Sequence, residues 1–375
     1  MILSAVLTVA ISGPAAAATA VVNQSVLDQA RRVADWQLAH MDDFAYVSTF
    51  RDHTEDPIDW IQATFWAGLT DLADVTGDDR YADAISRHGE AAGWGFGERP
   101  RHADADAIGH AWVWAAGKVE GAERERRLSP IRARFDAVLA APSDVAMIFD
   151  EGRGERACQV RWCWSDAVFM APPVWAALSK LTGAPAYWRH ADHELTATID
   201  ALYDQDDHLF YRDSRFVGRP GASGRKVFWS RGNGWSYAGL AKVIEVLPAD
   251  DPSRARYIAT FQAMSERLRG LQGSEGYWPV SLLDPGGPPE TSGTGFFVYG
   301  MAWGVNHGVL DADTYGPTIQ SGWAALDRAV QPDGRLGWVQ QVGYAPDQVA
   351  AADTQLYGVG ALLMAASEVS QRSDW

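Results

Sequence analysis

Apolar residues recur every three or four positions along most of the chain beyond residue 20, while period-two alternation is scarce. That spacing marks helices packed through one face. It predicts twelve of them, at about 24–40, 58–76, 80–95, 104–118, 127–141, 164–182, 185–203, 231–247, 253–272, 293–308, 312–330 and 353–370. Gly77, Gly183, Pro185, Pro248, Pro252, Gly308 and Pro332 fall at the joins, where glycine and proline end helices. Four stretches break the pattern: 142–163, 204–230, 273–292 and 331–352. They are rich in Gly, Pro, Asp and Arg, and long ordered loops of this kind usually carry function.

Two of the helical segments resemble each other. Trp60 to Tyr81 reads WIQATFWAGLTDLADVTGDDRY, and Trp164 to Tyr187 reads WSDAVFMAPPVWAALSKLTGAPAY. Each opens on Trp, carries Phe five residues on, and closes on Thr-Gly with a Tyr four residues beyond the Gly. The second is two residues longer, most simply at Pro172-Pro173. Such a unit is a helix, a glycine cap, a turn and a second helix packed back. Twelve helices as six hairpins close into a toroid. The expected fold is therefore all-α, an (α/α)6 barrel occupying residues 21–375 as a single domain. Its inner helices would direct their N-terminal ends, and the loops before them, at a central cleft. Gln62 and Asp166 hold matching places in the two repeats, so Asp166 is expected to face that cleft.

Asp166 is the one carboxylate in the run CQVRWCWSDAVFMAPP, residues 158–173, amid Trp162, Trp164, Phe169 and Met170. A lone acid among large apolar groups is desolvated, which raises its pKa toward what a general acid needs. A helix N-cap at Ser165 or Asp166 fits the local pattern equally well. HADADAIG offers Asp104 and Asp106 at a helix start, one as a cap and the other as a second cleft carboxylate. In FWSRGNGW, Arg231 stands between Trp229 and Trp235, where a guanidinium can stack or grip a carboxylate through two parallel hydrogen bonds, with a helix start, an aromatic cluster and a structural Arg as the plainer account. ETSGTGFF places Thr291 and Ser292 where hydroxyls either contact sugar or cap a helix. LFYRDSRF supplies Arg212, Asp213 and Arg215, with a loop ion pair as the plainer account.

The bulk properties narrow the partners. A formal net charge of −16 argues against nucleic acid or an anionic membrane surface. Seventeen Trp, Trp164 among them, suit a cleft that stacks on sugar rings, although part of that number must be core. The two cysteines, Cys158 and Cys163, lack the His pair that would complete a metal set, so no metal and no cofactor are expected. In an exported protein they would form a local disulfide before Asp166. Export is expected: Ile2 to Ile11 is a short apolar region, and Ala18 and Ala20 form a small-x-small pair, as in a signal peptide over residues 1–20. The periplasm is the expected destination, and the protein is expected to act as a monomer or dimer.

Together these motifs resemble glycoside hydrolase family 105, the unsaturated glucuronyl and rhamnogalacturonyl hydrolases, related to family 88. The resemblance rests on HADADAIG, RWCWSDAVFMAP, HLFYRDSRF, VFWSRGNGW, ETSGTGFF, GWVQ and DTQLYGVGA. It implies the same barrel. It also implies an oligosaccharide substrate whose non-reducing end is a 4,5-unsaturated uronic acid. An Asp protonates C4 of the vinyl ether and helps water add at C5; the hemiketal then opens and expels the remaining sugar. The family motif places that Asp at Asp166 and the supporting one at Asp104. Two departures stand out. Arg212 occupies a position where relatives often carry His, and Ala105 stands where a second acid is frequent. A conventional inverting glycosidase and a noncatalytic sugar-binding protein on the same barrel are the alternatives, with an epimerase disfavoured by the want of two motif-embedded His.

Overall fold

The computed structural model describes residues 22–149, 157–373 and 375. The expected signal peptide lies outside these residues. The helices are α1 (Gln24–Ala39), α2 (Trp60–Thr76), α3 (Asp79–Ala91), α4 (Ala103–Asp106), α5 (Gly109–Gly117), α6 (Gly121–Ala140), α7 (Ala167–Met170), α8 (Pro172–Thr182), α9 (Pro185–Leu202), α10 (Ser230–Val246), α11 (Arg254–Arg269), α12 (Thr291–Asn306), α13 (Ala312–Ala329) and α14 (Leu356–Val369). Four two-residue strands pair as hairpins: β1 (Tyr203–Asp204) with β2 (Leu209–Phe210), and β3 (Trp278–Pro279) with β4 (Pro289–Glu290).

Six helices form an inner ring. α2 packs on α5, α5 on α8, α8 on α10, α10 on α12, α12 on α14, and α14 returns to α2. Their composition dictates this place. α12 is buried from Thr291 through Val305, and α14 is apolar on every face. A helix without a polar face must be surrounded. The outer partners α3, α6, α9, α11 and α13 each follow an inner helix, and α1 packs on α14 to complete the sixth pair from the other end of the chain. The fold is the all-α (α/α)6 barrel. The repeated hairpins are present as expected, with Gly77 (φ 60) and Gly183 (φ 69) capping α2 and α8 in the left-handed conformation that glycine adopts without penalty.

Two expected helices are broken. The segment 164–182 is helical only from Ala167, and it divides at Ala171 (φ −113) because Pro172 has no N–H to continue the ladder. Trp164 instead bridges to Asp213 in extended backbone. The segment 104–118 divides into α4 and α5. A third helix, α6, starts at Gly121 instead of 127, and its early turns are supported by Glu123 pairing with Arg126 and Arg127 at 2.7 Å.

Candidate active site

The N-terminal ends of the inner helices open into a cavity of about 500 Å³. Asp166 immediately precedes α7, and Asp104 lies in α4; both line the cavity, with Trp60, Trp164, Arg212 and Arg215 among the other walls. Asp106 faces away. It is buried in an ion pair with Arg134 at 2.7 Å and accepts the Trp175 indole N–H at 3.1 Å. Of the two acids of HADADAIG neither is the expected cap: Asp106 holds α4 to its neighbours through Arg134 and Trp175, and Asp104 lines the cleft. Asp104 is not the cap of α4: His102 is, its Nδ1 accepting the Asp104 N–H at 3.3 Å.

The backbone around Asp166 is fixed from several sides. The Ser165 N–H donates to the Arg212 carbonyl at 2.8 Å, and the Ser236 hydroxyl donates to the Ser165 carbonyl at 3.0 Å. Beneath it α10 crosses α7 so closely that a Cβ at Gly239 would collide with the Val168 carbonyl. Asn233, the centre of FWSRGNGW, is buried and grips β2: its side-chain amide donates to the Phe210 carbonyl at 3.0 Å and its oxygen accepts the Phe210 N–H at 2.7 Å. That grip places Tyr211 and Arg212 beside Asp166. Cys158 and Cys163 are bonded, closing the turn that precedes Trp164.

Electrostatics follow from this packing. Burial raises the Asp166 pKa, against the opposing pull of the Arg212 charge and the Ser165 hydroxyl hydrogen bond at 3.0 Å. Burial also pushes Asp104 up to about 7, with Asp59 and Asp166 adding to the rise while Arg99 and Arg212 oppose it. Arg212 Nε stands 3.5 Å from Asp166 Oδ2, and its Nη1 donates to Asp213 at 2.8 Å. Burial disfavours a charge on Asp213, but hydrogen bonds from Arg215 and the charge of Arg212 prevail and hold its carboxyl below the usual range. The site therefore combines an acid whose pKa burial raises, a second carboxyl pushed up to about 7, and two guanidiniums braced by one Asp.

Residues 29–373 match Glycosyl Hydrolase Family 88. The chain belongs to that family. An unsaturated 3S-rhamnoglycuronyl hydrolase from Alteromonas sp. (strain LOR) is 40% identical over 361 residues, covering 92% of this chain and 87% of its own. A protein of the same name from Formosa agariphila is 35% identical over 321 residues, 84% of each chain. Among solved structures, a glycosyl hydrolase family 88 protein from Bacteroides vulgatus superposes with a TM-score of 0.78 at 27% identity, covering 92% of this chain and 98% of that one. A family 88 member is a glycoside hydrolase, and the resemblance read from the motifs, to family 105 and its relative family 88, agrees with this.

Within this family 88 barrel, four of the expected substrate contacts do not line the cavity, and Arg231 is a fifth. Arg231 is wholly buried. Its two terminal nitrogens donate to the Gln340 and Gln341 carbonyls at 2.7 and 2.9 Å, and its guanidinium lies 4.4 Å from the Trp229 ring and 4.6 Å from that of Tyr357. The expected grip on a substrate carboxylate is thus directed at backbone: Arg231 holds the 331–355 loop against α10. Trp229 donates its indole N–H to Gln340, and Trp235 packs on Phe169 and Phe296 in the core. Thr291 donates to the Gly337 carbonyl and Ser292 to Glu290, the buried cap of α12, so both hydroxyls serve the helix start. Arg212 and Trp164, by contrast, stand in the cavity wall. Sequence reasoning missed Trp60, Phe149, Gln159 and Tyr344 as lining residues, and it passed over Asp59, whose charge adds to the rise of the Asp104 pKa. Burial and the neighbouring Asp59 push Glu55 up to about 7. The one available signal was the acid-rich stretch TEDPIDW just before α2.

Proposed function

We propose that this family 88 enzyme releases a 4,5-unsaturated uronic acid from the non-reducing end of an oligosaccharide, by hydrating the vinyl ether instead of attacking the anomeric carbon. The observation that carries this is a buried acid, Asp166, whose pKa is raised by burial and which faces the same cavity as Asp104 and Arg212. In this reading Asp166 gives its proton to C4, and the electron-poor C5 takes up water. Asp166 recovers a proton from that water, so one carboxyl serves both steps. The hemiketal so formed opens and the remaining sugar leaves. Arg212 receives the uronate carboxylate, and Asp104 orients the ring and tunes Asp166. The names of the Alteromonas and Formosa relatives support a rhamnose as the sugar released from the uronyl unit.

The working unit is one barrel domain, residues 21–375, exported to the periplasm as a monomer or dimer; the bonded Cys158–Cys163 pair supports an oxidising compartment. Incubation with a panel of lyase-generated oligosaccharides tests the chemistry. Hydration abolishes the ultraviolet absorbance of the conjugated enol carboxylate, whereas an inverting glycosidase would release the unsaturated sugar with its absorbance intact. Retained absorbance with sugar release would replace the hydration reading with the inverting one.

A further inference from the structure

Among the described residues, large hydrophobic side chains are strongly exposed at five positions, and three of these gather at one place. Val342 and Tyr344 form one lip of the cavity, and Ile148 lies beside the lining residue Phe149. Tyr344 leaves 57% of its surface in water. Among the described residues no other Phe, Tyr or Trp is so exposed, so a ring held open at the mouth of a sugar cleft calls for an occupant. The ring is also held in place. The Arg215 guanidinium lies 4.3 Å from the Phe149 ring centre and 5.0 Å from that of Tyr344, a layered stack joining three loops. Arg215 is in turn fixed by two hydrogen bonds of 2.8 Å to Asp213, the same carboxylate that holds Arg212 beside Asp166. Tyr344 is thereby registered to the acid through two guanidiniums, Arg215 and Arg212, and the buried Asp213 between them.

We propose that Tyr344 is the stacking platform for the leaving sugar, held at a set distance from Asp166 by the Phe149–Arg215 stack. This rests on the uronyl hydrolase reading: with the uronyl ring between Asp166 and Arg212, the next ring is carried out of the cavity toward this lip. A 6-deoxy sugar suits it, since its apolar face lies on the phenol ring and its methyl group meets Val342.

The test compares two substrates of the same enzyme, an unsaturated uronide with a methyl aglycone and the corresponding unsaturated disaccharide. Tyr344→Ala, a change at an exposed position, should raise KM for the disaccharide about fivefold or more with little change in kcat, the scale of a lost stacking contact. The methyl glycoside, which has no second ring, should be unaffected. Tyr344→Phe should retain wild-type behaviour on both, because the ring remains. Equal effects of Tyr344→Ala on the two substrates, or none on either, would overturn the platform while leaving the uronyl reading in place. A wild-type enzyme inert on both would overturn that reading and the platform with it.

Discussion

Replacing Asp104 with Asn separates two roles that a carboxylate at the head of a short helix can have. A helix cap exchanged for a poorer one costs about 1 kcal/mol. Here the cap is His102, and the Asp104 carboxylate lies in the cavity with Arg99 at 3.7 Å as an ionic neighbour. Burial lifts its pKa from 3.8 to about 7. A carboxyl whose folded pKa exceeds its unfolded one binds its proton more tightly in the native state. Its stabilising contribution is complete below the unfolded value and is lost as the pH rises through the folded one. Above about pH 7 the native state carries the full cost of an ionised, desolvated group, at most about 4 kcal/mol for a displacement of this size. Asn keeps the shape and removes the charge. Asp104→Asn is therefore expected to be more stable than wild type by about 1–4 kcal/mol at pH 8, with a smaller gain near pH 5 and none near pH 4. Urea denaturation at the three pH values measures this. Initial rates, followed by loss of ultraviolet absorbance, should fall by about tenfold or more, because the general-acid machinery loses its supporting carboxylate. A variant less stable than wild type at pH 8, or a gain independent of pH, would refute the assignment of the raised pKa to desolvation in the cleft.

Asp166→Asn is expected to cut turnover by at least about a hundredfold at saturating substrate while binding persists; activity within a few-fold of wild type would remove Asp166 from the chemistry. Arg231→Lys should lower stability by about 2–4 kcal/mol, since Lys cannot make both carbonyl hydrogen bonds between two aromatic rings, and the folded fraction should keep its KM. A raised KM without a change in urea midpoint would return Arg231 to the substrate. The double change Cys158→Ser with Cys163→Ser should cost about 2 kcal/mol in urea denaturation and raise KM, because the bond braces Gln159 and Trp164 in the cavity wall. Unchanged stability and KM together would show the bond to be idle.

The helices were legible because the inner ones advertise themselves. α12 and α14 carry apolar or small residues on every face, and the repeats ending in Gly77 and Gly183 gave the pairing of inner with outer helices. The breaks were less so. Pro172-Pro173 was visible as an insertion between repeats, yet periodicity runs through it, and only the backbone shows that Asp166 sits before a four-residue helix instead of inside a long one. The family motif singled out Asp104 over Asp106, and the structure puts Asp104 in the cavity wall while Arg134 and Trp175 hold Asp106 away from it. Arg231 was misread for a physical reason. Flanking tryptophans signal a guanidinium held flat, but they do not say whether its edge meets a ligand or backbone, and the two carbonyls that claim it come from residues about 110 positions later. Tyr344 and Phe149 lay in irregular loops with no period and no motif, so only the folded chain could bring them to Arg215.

The charge of the whole molecule and the charge of its proposed substrate are opposed, and the site resolves this locally. Two guanidiniums, Arg212 and Arg215, both pair with Asp213, which holds them in the cavity wall near Asp166. Burial is the largest influence on both cleft acids and raises the pKa of each. An entering uronate thus meets acids less ready to ionise than exposed ones, with the Arg212 guanidinium beside them, although the chain as a whole carries −16. Once bound, that uronate is a further negative charge close to Asp166, which makes losing the catalytic proton harder still. Binding the anion and keeping the acid loaded are in this way one electrostatic event. Ionisation of Asp104 above about pH 7 parts the two: its negative charge repels the substrate carboxylate but, like the uronate, disfavours loss of the Asp166 proton.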